Sequence, residues 1–307
     1  MNYTLHQLEI YKKVAELESV TRASEELYLT QPAISIQLKK LQEQFPQPLF
    51  EVIGRKLYIT DFGKEVAHSV DKILYEVESL NAKTLTFNGQ LAGKLKIALV
   101  STAKYVMPYF LTDFIKENSG VTLSMDVTNR ASVIQSLEKN LVDFALVSVI
   151  PDTLKVNCIP LMQNKLYLVG GRQHNLIKTK ISKKNIAKLP MLYREYGSAT
   201  RQAMENYMDE QGIPNVKRLE LTSNEALKQA IIAGLGYSIM PLIGIKNELE
   251  TGDIQIISAK NLPIITFWNL IWLKSKRLSP TAEAFTEYLS TRKDEIIDQS
   301  FVWFEKY

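Results

Sequence analysis

Apolar positions between residues 21 and 45 repeat with the period of an α-helix. Four of them are spaced by four, three and four residues and form one stripe: Ile34, Leu38, Leu41 and Phe45. Thr30 precedes the stripe as a predicted N-cap, and Pro32 stands in the first turn, where its missing N–H costs no hydrogen bond. The opposite face is polar and can meet a partner; it carries Ser35, Gln37, Lys39 and Lys40.

A shorter apolar stripe lies just before this helix. Val20, Ala23 and Leu27 follow helical spacing, and we predict that the hydroxyl of Thr21 caps the start of their helix. Two short helices joined by the residues around Tyr28 have the form of a helix-turn-helix. An αα-hairpin inside a protein core has the same pattern, so the spacing alone leaves both interpretations open.

A first helix and a hairpin are predicted on either side of this pair. The first helix is marked by apolar residues at helical spacing: Leu5, Leu8, Tyr11, Val14 and Leu17. After Phe45, short β-prone runs flank Gly54 and Arg55, as in a hairpin. Such a hairpin either closes the domain or forms a wing that places Arg55 and Lys56 over the DNA backbone or minor groove.

A long heptad pattern follows the hairpin. Thr60 is a predicted N-cap, and the seam alternates spacings of four and three: Val66, Val70, Ile73, Val77, Leu80, Thr84 and Phe87. About 28 residues at 1.5 Å rise give a rod of roughly 42 Å. Since its other sides are polar, the seam predicts dimerisation; packing against its own domain is the alternative.

From residue 92 onwards, short β-prone runs alternate with helical ones. The first three strands and two helices form a βαβαβ arrangement, which predicts a parallel sheet with helices on both faces. A similar set follows, and the chain crosses between the two near 160–166 and 264–270. The predicted domains are 1–60 (helix-turn-helix), 61–91 (linker helix) and 92–307 (two α/β lobes around a cleft, lobe I about 92–163 and 268–307, lobe II about 164–267).

Composition and charge add a constraint on the partners. Of 307 residues, 46% are hydrophobic and 23% charged, enough for two or more domains with buried cores. Residues 1–60 hold seven basic and seven acidic side chains, residues 61–91 three and five, and the rest 27 and 21, giving 0, −2 and +6. The helix-turn-helix therefore has only a modest basic footprint, and we expect two such modules to act together on DNA.

Other classes of function find little support. No apolar run approaches the ~20 residues of a membrane span, and the N-terminus lacks an export signal, so we expect a cytoplasmic protein without a membrane partner. Cys158, the single cysteine, is expected to be a small buried side chain. His6, His68 and His174 are far apart, and the Gly-Ser-Ala around Ser198 is not a nucleophile elbow. We expect no enzymatic activity, cofactor or metal site.

The residues of the helix-turn-helix also resemble a known family. The DNA-binding signature of the LysR-type transcriptional regulators is matched by Ala23, Glu26, Leu27, Thr30-Gln31-Pro32-Ala33-Ile34-Ser35 and Leu41, and its wing by Leu49-Phe50-Glu51, Gly54-Arg55 and Leu57-x-Ile59-Thr60. Ile36 and Val52 depart from this pattern, since members often carry basic residues there. The resemblance implies an N-terminal all-α winged helix-turn-helix, a dimerising linker helix, a periplasmic-binding-protein-like effector domain, and dimers that pair into tetramers.

The polar face and capped start of the recognition helix suggest the DNA contacts. We predict that Gln31, Pro32, Ser35 and Gln37 lie nearest base edges, with Thr30, Lys39 and Arg55 on phosphates. The predicted partners are double-stranded operator DNA and a second copy of the chain, with RNA polymerase as a candidate.

Polar residues at strand ends predict a small-molecule site. In parallel α/β sheets, ligands bind beyond the carboxyl ends of the strands, and hydroxyls, amides and helix N-termini there suit an anion. The candidates are Ser101, Thr102, Lys104, Asn129, Arg130, Ser148, Ser198, Thr200 and Arg201. A single residue of this kind is explained by helix capping. Convergence of several strand ends on one cleft instead favours a small-molecule site.

A finer resemblance concerns the effector. The segments 100–105 (VSTAKY), Asn129-Arg130, 277–280 and Ala284-Phe285 are similar to the CbbR or RbcR subgroup of LysR-type regulators, which control carbon-fixation operons. That resemblance implies a small anionic metabolite as effector. The alternative is a solute-binding protein without DNA function. Such a protein would have no use for residues 1–90.

Overall fold

A computed structural model describes residues 2–54, 56–87, 91–173, 180–214 and 219–307, without the side chains of 79 and 81–87. Arg55 and His174, both named above, lie outside the described residues. The chain divides into two units, Met1–Gly93 and Lys94–Tyr307.

The N-terminal unit is built from helices and a hairpin. Its elements are α1 (Leu5–Leu17), α2 (Val20–Glu26), α3 (Gln31–Gln42), β1 (Phe50–Ile53), β2 (Lys56–Ile59) and α4 (Asp61–Phe87). The helices α2 and α3 confirm the predicted helix-turn-helix. The strands β1 and β2 are antiparallel, with Phe50 opposite Ile59, which confirms the hairpin.

Side-chain caps set where α2 and α3 begin. The hydroxyl of Thr30 accepts a hydrogen bond from the N–H of Ala33 at 3.4 Å, as predicted. At α2, however, it is Ser19 whose hydroxyl accepts from the N–H of Arg22, at 3.3 Å. The predicted capping role of Thr21 is wrong, because a cap must precede the first helical turn in extended conformation and Thr21 already lies inside the helix.

Two buried clusters hold the three short helices together. One consists of Leu8, Tyr11, Leu41, Leu49 and Val70, and the other of Ile10, Val14, Ala23 and Ile34. Full burial of a side chain of this size stabilises by about 1.5–3 kcal/mol. Since Ile34 and Leu41 anchor the apolar stripe of α3, the opposite face of α3 points outward.

The start of α4 is packed tightly against the segment before β1. The N–H of Gly63 donates to the hydroxyl of Thr60 at 2.9 Å, confirming the predicted cap. A Cβ on Gly63 would lie 2.2 Å from the carbonyl oxygen of Leu49. The carbonyl of Gly63 also accepts a 2.6 Å hydrogen bond from the Tyr11 hydroxyl, so α4 is tied to α1 at a position where only glycine fits.

The heptad seam of α4 changes character along its length. Val66 and Val70 pack into the core of the unit. Further along, Ile73 and Leu80 are 39% and 64% exposed. The seam therefore continues beyond the core as an uncovered apolar stripe.

The C-terminal unit alternates strands and helices, as predicted. Its elements are β3 (Ala92–Val100), α5 (Met107–Glu117), β4 (Gly120–Thr128), α6 (Arg130–Glu138), β5 (Phe144–Val147), β6 (Val156–Gly171), α7 (Lys183–Ile186), β7 (Leu192–Arg194), α8 (Ala199–Glu210), β8 (Leu219–Leu221), α9 (Asn224–Ile232), β9 (Tyr237–Pro241), α10 (Lys246–Thr251), β10 (Ile254–Ile256), β11 (Ile264–Leu273) and α11 (Pro280–Ser300). Short 3₁₀ helices cover Ala103–Tyr105, Leu242–Gly244 and Val302–Lys306.

The main sheet has the strand order β10-β6-β11-β5-β3-β4, with β9 also paired to β6. The pairs β3–β5 and β7–β8 are parallel. The pair β3–β5 bears out the parallel arrangement predicted from the first three strands. The complete sheet is mixed, because β6 is antiparallel to β9, β10 and β11, and β11 is antiparallel to β5. The chain crosses between the two halves in opposite directions, so the two crossing strands must run antiparallel.

The segments predicted to cross between the halves lie in two long strands that pair with each other. β6 and β11 pair from Val156 opposite Leu273 to Leu166 opposite Ile264. The β-prone run at 165–171 is the far end of β6. Each half has its own core: Phe114, Phe144 and Phe285 in one, and a cluster with Tyr193 and Met204 in the other.

Cys158 is exposed, so the expectation of a buried thiol is wrong. It lies on β6 with its side chain on the outer surface, and its Sγ donates to Oδ1 of Asn269 on the adjacent β11 at 3.3 Å. Partial desolvation raises the pKa of the thiol, which lowers its thiolate fraction.

Candidate functional site

The exposed face of α3 is the candidate DNA-reading surface. Its exposed residues are Gln31, Pro32, Ser35, Ile36, Lys39 and Lys40, and Thr30 is exposed at the N-cap. Three of the four residues predicted to lie nearest base edges, Gln31, Pro32 and Ser35, are in the first turns. The two lysines are in the last turn. The face therefore has one end with the residues predicted to contact bases and another end that is basic.

Gln37 lies off this face. It is half-buried, and its side-chain oxygen accepts a hydrogen bond from Nε2 of Gln7 on α1 at 3.2 Å. This placement speaks against the predicted base contact, because the amide is turned toward the supporting helix. Arg55, predicted to contact phosphate, lies outside the described residues.

In the C-terminal unit, the ends of β3, β4, β5 and β7 meet at one narrow cleft. Its lining consists of Val100, Ser101, Thr102, Thr128, Asn129, Arg130, Ser148, Arg194, Glu195, Ser198, Ala199 and Thr200. The cavity is about 20 Å³, room for roughly one water molecule. The structure thus brings together seven of the nine residues predicted for the effector, from both halves of the unit.

The other two predicted cations lie elsewhere. Arg201 donates from Nε to Glu205 at 2.9 Å and from Nη1 to Glu220 at 2.6 Å, so its charge is used within its own half. Lys104 lines a separate cavity beside Tyr105, with its Nζ 3.9 Å from Glu225. Carboxylates pair with both side chains, and two of them, Glu220 and Glu225, are distant in sequence from the cation that they contact.

Arg194 is the cleft residue that the sequence interpretation missed. It is only 4% exposed, and its Nε and Nη2 each donate to a carboxylate oxygen of Glu195 at 2.7 Å. Its Nη1 lies 3.4 Å from Oγ of Ser101 in the other half, and that hydroxyl also accepts from Asn224 at 3.0 Å. Arg194 ends β7, so the strand-end rule that selected Ser101 applied equally to it.

The cleft has the electrostatics of an anion site. Nε of Arg130 is buried and, among the described residues, has no hydrogen-bond partner. The N-termini of α6 and α8, capped by Asn129 and Ser198, contribute partial positive charge. The Thr102 hydroxyl makes no capping bond. The lining of the cleft thus contains two arginines, Arg130 and Arg194, and one carboxylate, that of Glu195, beside donors able to bind an anion.

Two features are absent from the described part of the chain. It contains no group of three or more His, Cys, Asp or Glu side chains placed to hold a metal ion. Across the same residues, none of the helices has the length and apolar character needed to span a bilayer.

A helix-turn-helix with an exposed recognition helix, followed by an α/β unit with a polar cleft, defines a DNA-binding regulator with a small-molecule domain. The family profile described as "Bacterial regulatory helix-turn-helix protein, lysR family" matches residues 5–64, and that described as "LysR substrate binding domain" matches residues 88–294. The chain belongs to the LysR family of transcriptional regulators.

Relatives extend this assignment over the whole length. The chain is 35% identical over 296 residues to the HTH-type transcriptional activator CmpR of Synechocystis sp., covering 96% of this chain and 97% of CmpR. It is 37% identical over 290 residues to the RuBisCO operon transcriptional regulator of Allochromatium vinosum, covering 94% and 96%. These relatives confirm the resemblance to regulators of carbon fixation.

Solved structures agree with the fold. The regulatory domain of CcmR from Synechocystis PCC6803, in complex with 2-PG, has a TM-score of 0.62 and 32% identity, covering 65% of this chain and 97% of that one. Full-length CbnR complexed with its target DNA has a TM-score of 0.68 and 19% identity, covering 94% and 99%. The N-terminal helix-turn-helix and the two-lobed, periplasmic-binding-protein-like domain are thereby confirmed.

Proposed function

We propose that this regulator binds operator DNA as a dimer of dimers and is switched by a small anionic metabolite in the cleft of its C-terminal unit. The unpartnered Nε of Arg130 is the observation that carries the ligand class. A buried donor left without a partner costs about 1–3 kcal/mol, and an anionic oxygen would satisfy it. The complex of the related CcmR domain with 2-PG supports the same class.

Arg194 supplies the second charge through an exchange of partners. Its guanidinium holds Glu195 in a two-point pair, which is the geometry that carboxylates and phosphates also use. A ligand anion that takes the place of Glu195 gains this pair, while Ser101, Thr102 and the N-terminus of α8 donate further hydrogen bonds. Because both halves contribute, the ligand favours one relative arrangement of the halves over another.

Thermal unfolding with a metabolite panel tests this site. The panel contains 2-PG, phosphoenolpyruvate, sugar phosphates and nicotinamide nucleotides. We expect one of these anions to stabilise the full chain, by about 2.7 kcal/mol at 100 times its Kd, and Thr102→Val and Arg194→Gln to remove most of the effect. Arg172→Gln, an exposed arginine outside the cleft lining, is the control. Stabilisation that survives both cleft variants, or binding only of neutral compounds, contradicts the proposal.

The recognition helix is proposed to read operator sequence through Gln31, Pro32 and Ser35, with Lys39 on phosphate. We expect Gln31→Ala to alter the preference among DNA sequences, and Lys39→Ala to weaken binding to all sequences and reduce its salt dependence. Selection from a duplex library, followed by titration at several salt concentrations, measures both. An unchanged preference for Gln31→Ala contradicts direct readout by that residue.

Dimerisation is proposed to use the exposed seam of α4. The downstream partner is proposed to be RNA polymerase, and the location is proposed to be the cytoplasm. The uncovered side chains of Ile73 and Leu80 support the proposed dimer contact. Light scattering of the full chain tests it. We expect a tetramer, and a monomer at micromolar concentration contradicts the scheme.

A further inference from the structure

One residue on the exposed face of α3 has the wrong polarity for a surface that meets only solvent and phosphate. Ile36 is 54% exposed, whereas Ile34, two positions earlier, is fully buried in the core. The neighbours of Ile36 on the face are Pro32, one turn before it, and Lys39 and Lys40, about one turn after it.

Local structure does not require isoleucine at this position. A β-branched side chain loses rotamer freedom in a helix, so alanine, lysine or arginine would favour α3 more. An exposed isoleucine also gains little burial from folding. Ile36 can gain burial only from a surface that covers it, and on a helix proposed to lie in the major groove that surface is the duplex.

The duplex offers one apolar group to a helix in the major groove. Guanine and adenine present acceptors and an amino or carbonyl group, cytosine presents an amino group, and only thymine presents a methyl group. A polar base edge pressed against Ile36 would lose water without gaining a hydrogen bond, which is unfavourable. A thymine methyl group in the same place would gain apolar contact.

We propose that Ile36 selects thymine, by contact with its 5-methyl group, at one position of each operator half-site. This rests on the proposed placement of α3 in the major groove. Ile36 lies one residue after Ser35 and one turn after Pro32, within the part of a recognition helix that reaches base edges. The result is a preference set by shape and polarity, beside the hydrogen-bonding readout of Gln31 and Ser35.

The test uses the wild-type full chain and a duplex that it selects from a random library. Each thymine of that duplex is replaced in turn by deoxyuridine, which removes only the methyl group. We expect one thymine in each half-site at which this change weakens binding about fourfold, the value of one buried methyl group. Replacing that thymine by cytosine should weaken binding further, and 5-methylcytosine should restore part of the loss.

The variant Ile36→Ala connects the effect to the residue. We expect it to bind thymine and deoxyuridine duplexes equally, because the side chain that covered the methyl group is gone. Ile265→Ala is the matched control, since Ile265 is 53% exposed but lies on β11 of the other unit, and it should keep the wild-type fourfold difference.

Two results overturn the inference. One is a selected duplex in which no deoxyuridine substitution weakens wild-type binding; the other is an Ile36→Ala variant that keeps the same deoxyuridine penalty. Failure to select any DNA sequence would instead contradict the proposed function. The deoxyuridine measurements use the wild-type chain, so they do not depend on the folding of a variant.

Discussion

Tyr11 shows how one buried side chain links two helices. Its ring is fully buried and contacts Phe50, with ring centroids 5.3 Å apart, and its hydroxyl donates to Gly63. Burial raises the pKa of Tyr11 far above its ordinary value of 10.0. Above pH 10 the unfolded phenol therefore loses its proton while the folded one keeps it.

The first prediction concerns Tyr11→Phe. At pH 7 the variant should lose about 0.5–1.5 kcal/mol, the value of one hydrogen bond. In the wild type the folded state binds more protons than the unfolded state above pH 10, so the free energy of unfolding falls as pH rises. Tyr11→Phe should show a smaller fall. Urea unfolding at pH 7 and about pH 11, with hydrogen exchange of the α1 amides, measures this.

Tyr58→Phe is the control for that experiment, since Tyr58 is exposed on β2. It should keep the alkaline loss seen in the wild type. An alkaline loss in Tyr11→Phe as large as that of Tyr58→Phe would show that the buried phenol is not its source.

Single residues of the cleft also show what sequence could and could not predict. Ser101 and Thr102 were found because strand ends converge by a general rule of α/β folds. Lys104 and Arg201 were chosen for their charge, yet carboxylates up to 121 positions away in the chain hold them. Arg194 was missed although the same rule covers it. A strand end predicts where a side chain is placed, and tertiary ion pairs decide what it does there.

At the scale of elements, α4 packs closely against the segment before β1. Of the glycines described in the N-terminal unit, Gly63 leaves the least space for a Cβ. Gly63 lies on the first turn of α4, and the carbonyl of Leu49 occupies the space that a Cβ would need. The obstructing atom belongs to the backbone, so it cannot move aside by a change of rotamer. The amide of Thr60 also donates to this carbonyl, at 3.1 Å.

The second prediction is that Gly63→Ala destabilises the N-terminal unit by about 1–3 kcal/mol, the usual cost of overpacking. Greater helix propensity of alanine would act in the opposite direction by at most about 1 kcal/mol. Ser69→Ala, an exposed position further along α4, provides the comparison. A Gly63→Ala variant as stable as Ser69→Ala, by urea unfolding, contradicts the close approach.

The third prediction concerns the exposed part of the α4 seam. Replacing Ile73 and Leu80 together by Asp places charges in an apolar contact, where unpaired charge is costly, and should shift the assembly toward smaller species. Lys72→Asp changes charge at a neighbouring exposed position of α4 and should leave assembly intact. Light scattering across a concentration series distinguishes them; equal behaviour of the two variants contradicts a role for the seam.

Elements set by local signals were the predictable ones. Helix α3 begins directly after its N-cap, Thr30, and the hairpin turns at Gly54. Both positions were predictable because capping and turn chemistry act over a few residues. The direction of β6 depends on partners far away in the chain, such as β11, whose paired residues are 98 to 117 positions away. Alternation of strands and helices therefore did not reveal the mixed sheet. Thr21 failed as a cap because Ser19, two positions earlier, offered the same chemistry.

At the scale of the whole C-terminal unit, the contacts that join the two halves include a hydrogen bond outside the cleft lining. The hydroxyl of Tyr105, just after β3, donates to the carboxylate of Glu225 on α9. Glu225 also pairs with Lys228 at 2.9 Å. These contacts hold the halves in the arrangement in which the cleft has room for about one water molecule, so a larger ligand requires the walls to separate.

The fourth prediction is that Tyr105→Phe speeds association of the cleft ligand about tenfold or more, because a hydrogen bond to a charged carboxylate contributes about 1.5–3 kcal/mol. The variant removes a bond that must break when the cleft opens. Tyr109→Phe alters an exposed tyrosine on α5 and should leave the rate unchanged. Stopped-flow measurement with the stabilising anion tests this, and identical rates for both variants contradict it.

The exposed thiol of Cys158 is a site at which a probe of movement between protomers can be attached. The chain has one cysteine, so a spin label attached there needs no removal of other thiols, and an oligomer carries one label per protomer at the same place on the crossing strand. Every label-to-label distance is then a distance between copies. The raised pKa of this thiol means that attachment should be faster at mildly alkaline pH. Pulsed dipolar spectroscopy on the labelled assembly, with and without anion, would then measure how far the protomers move.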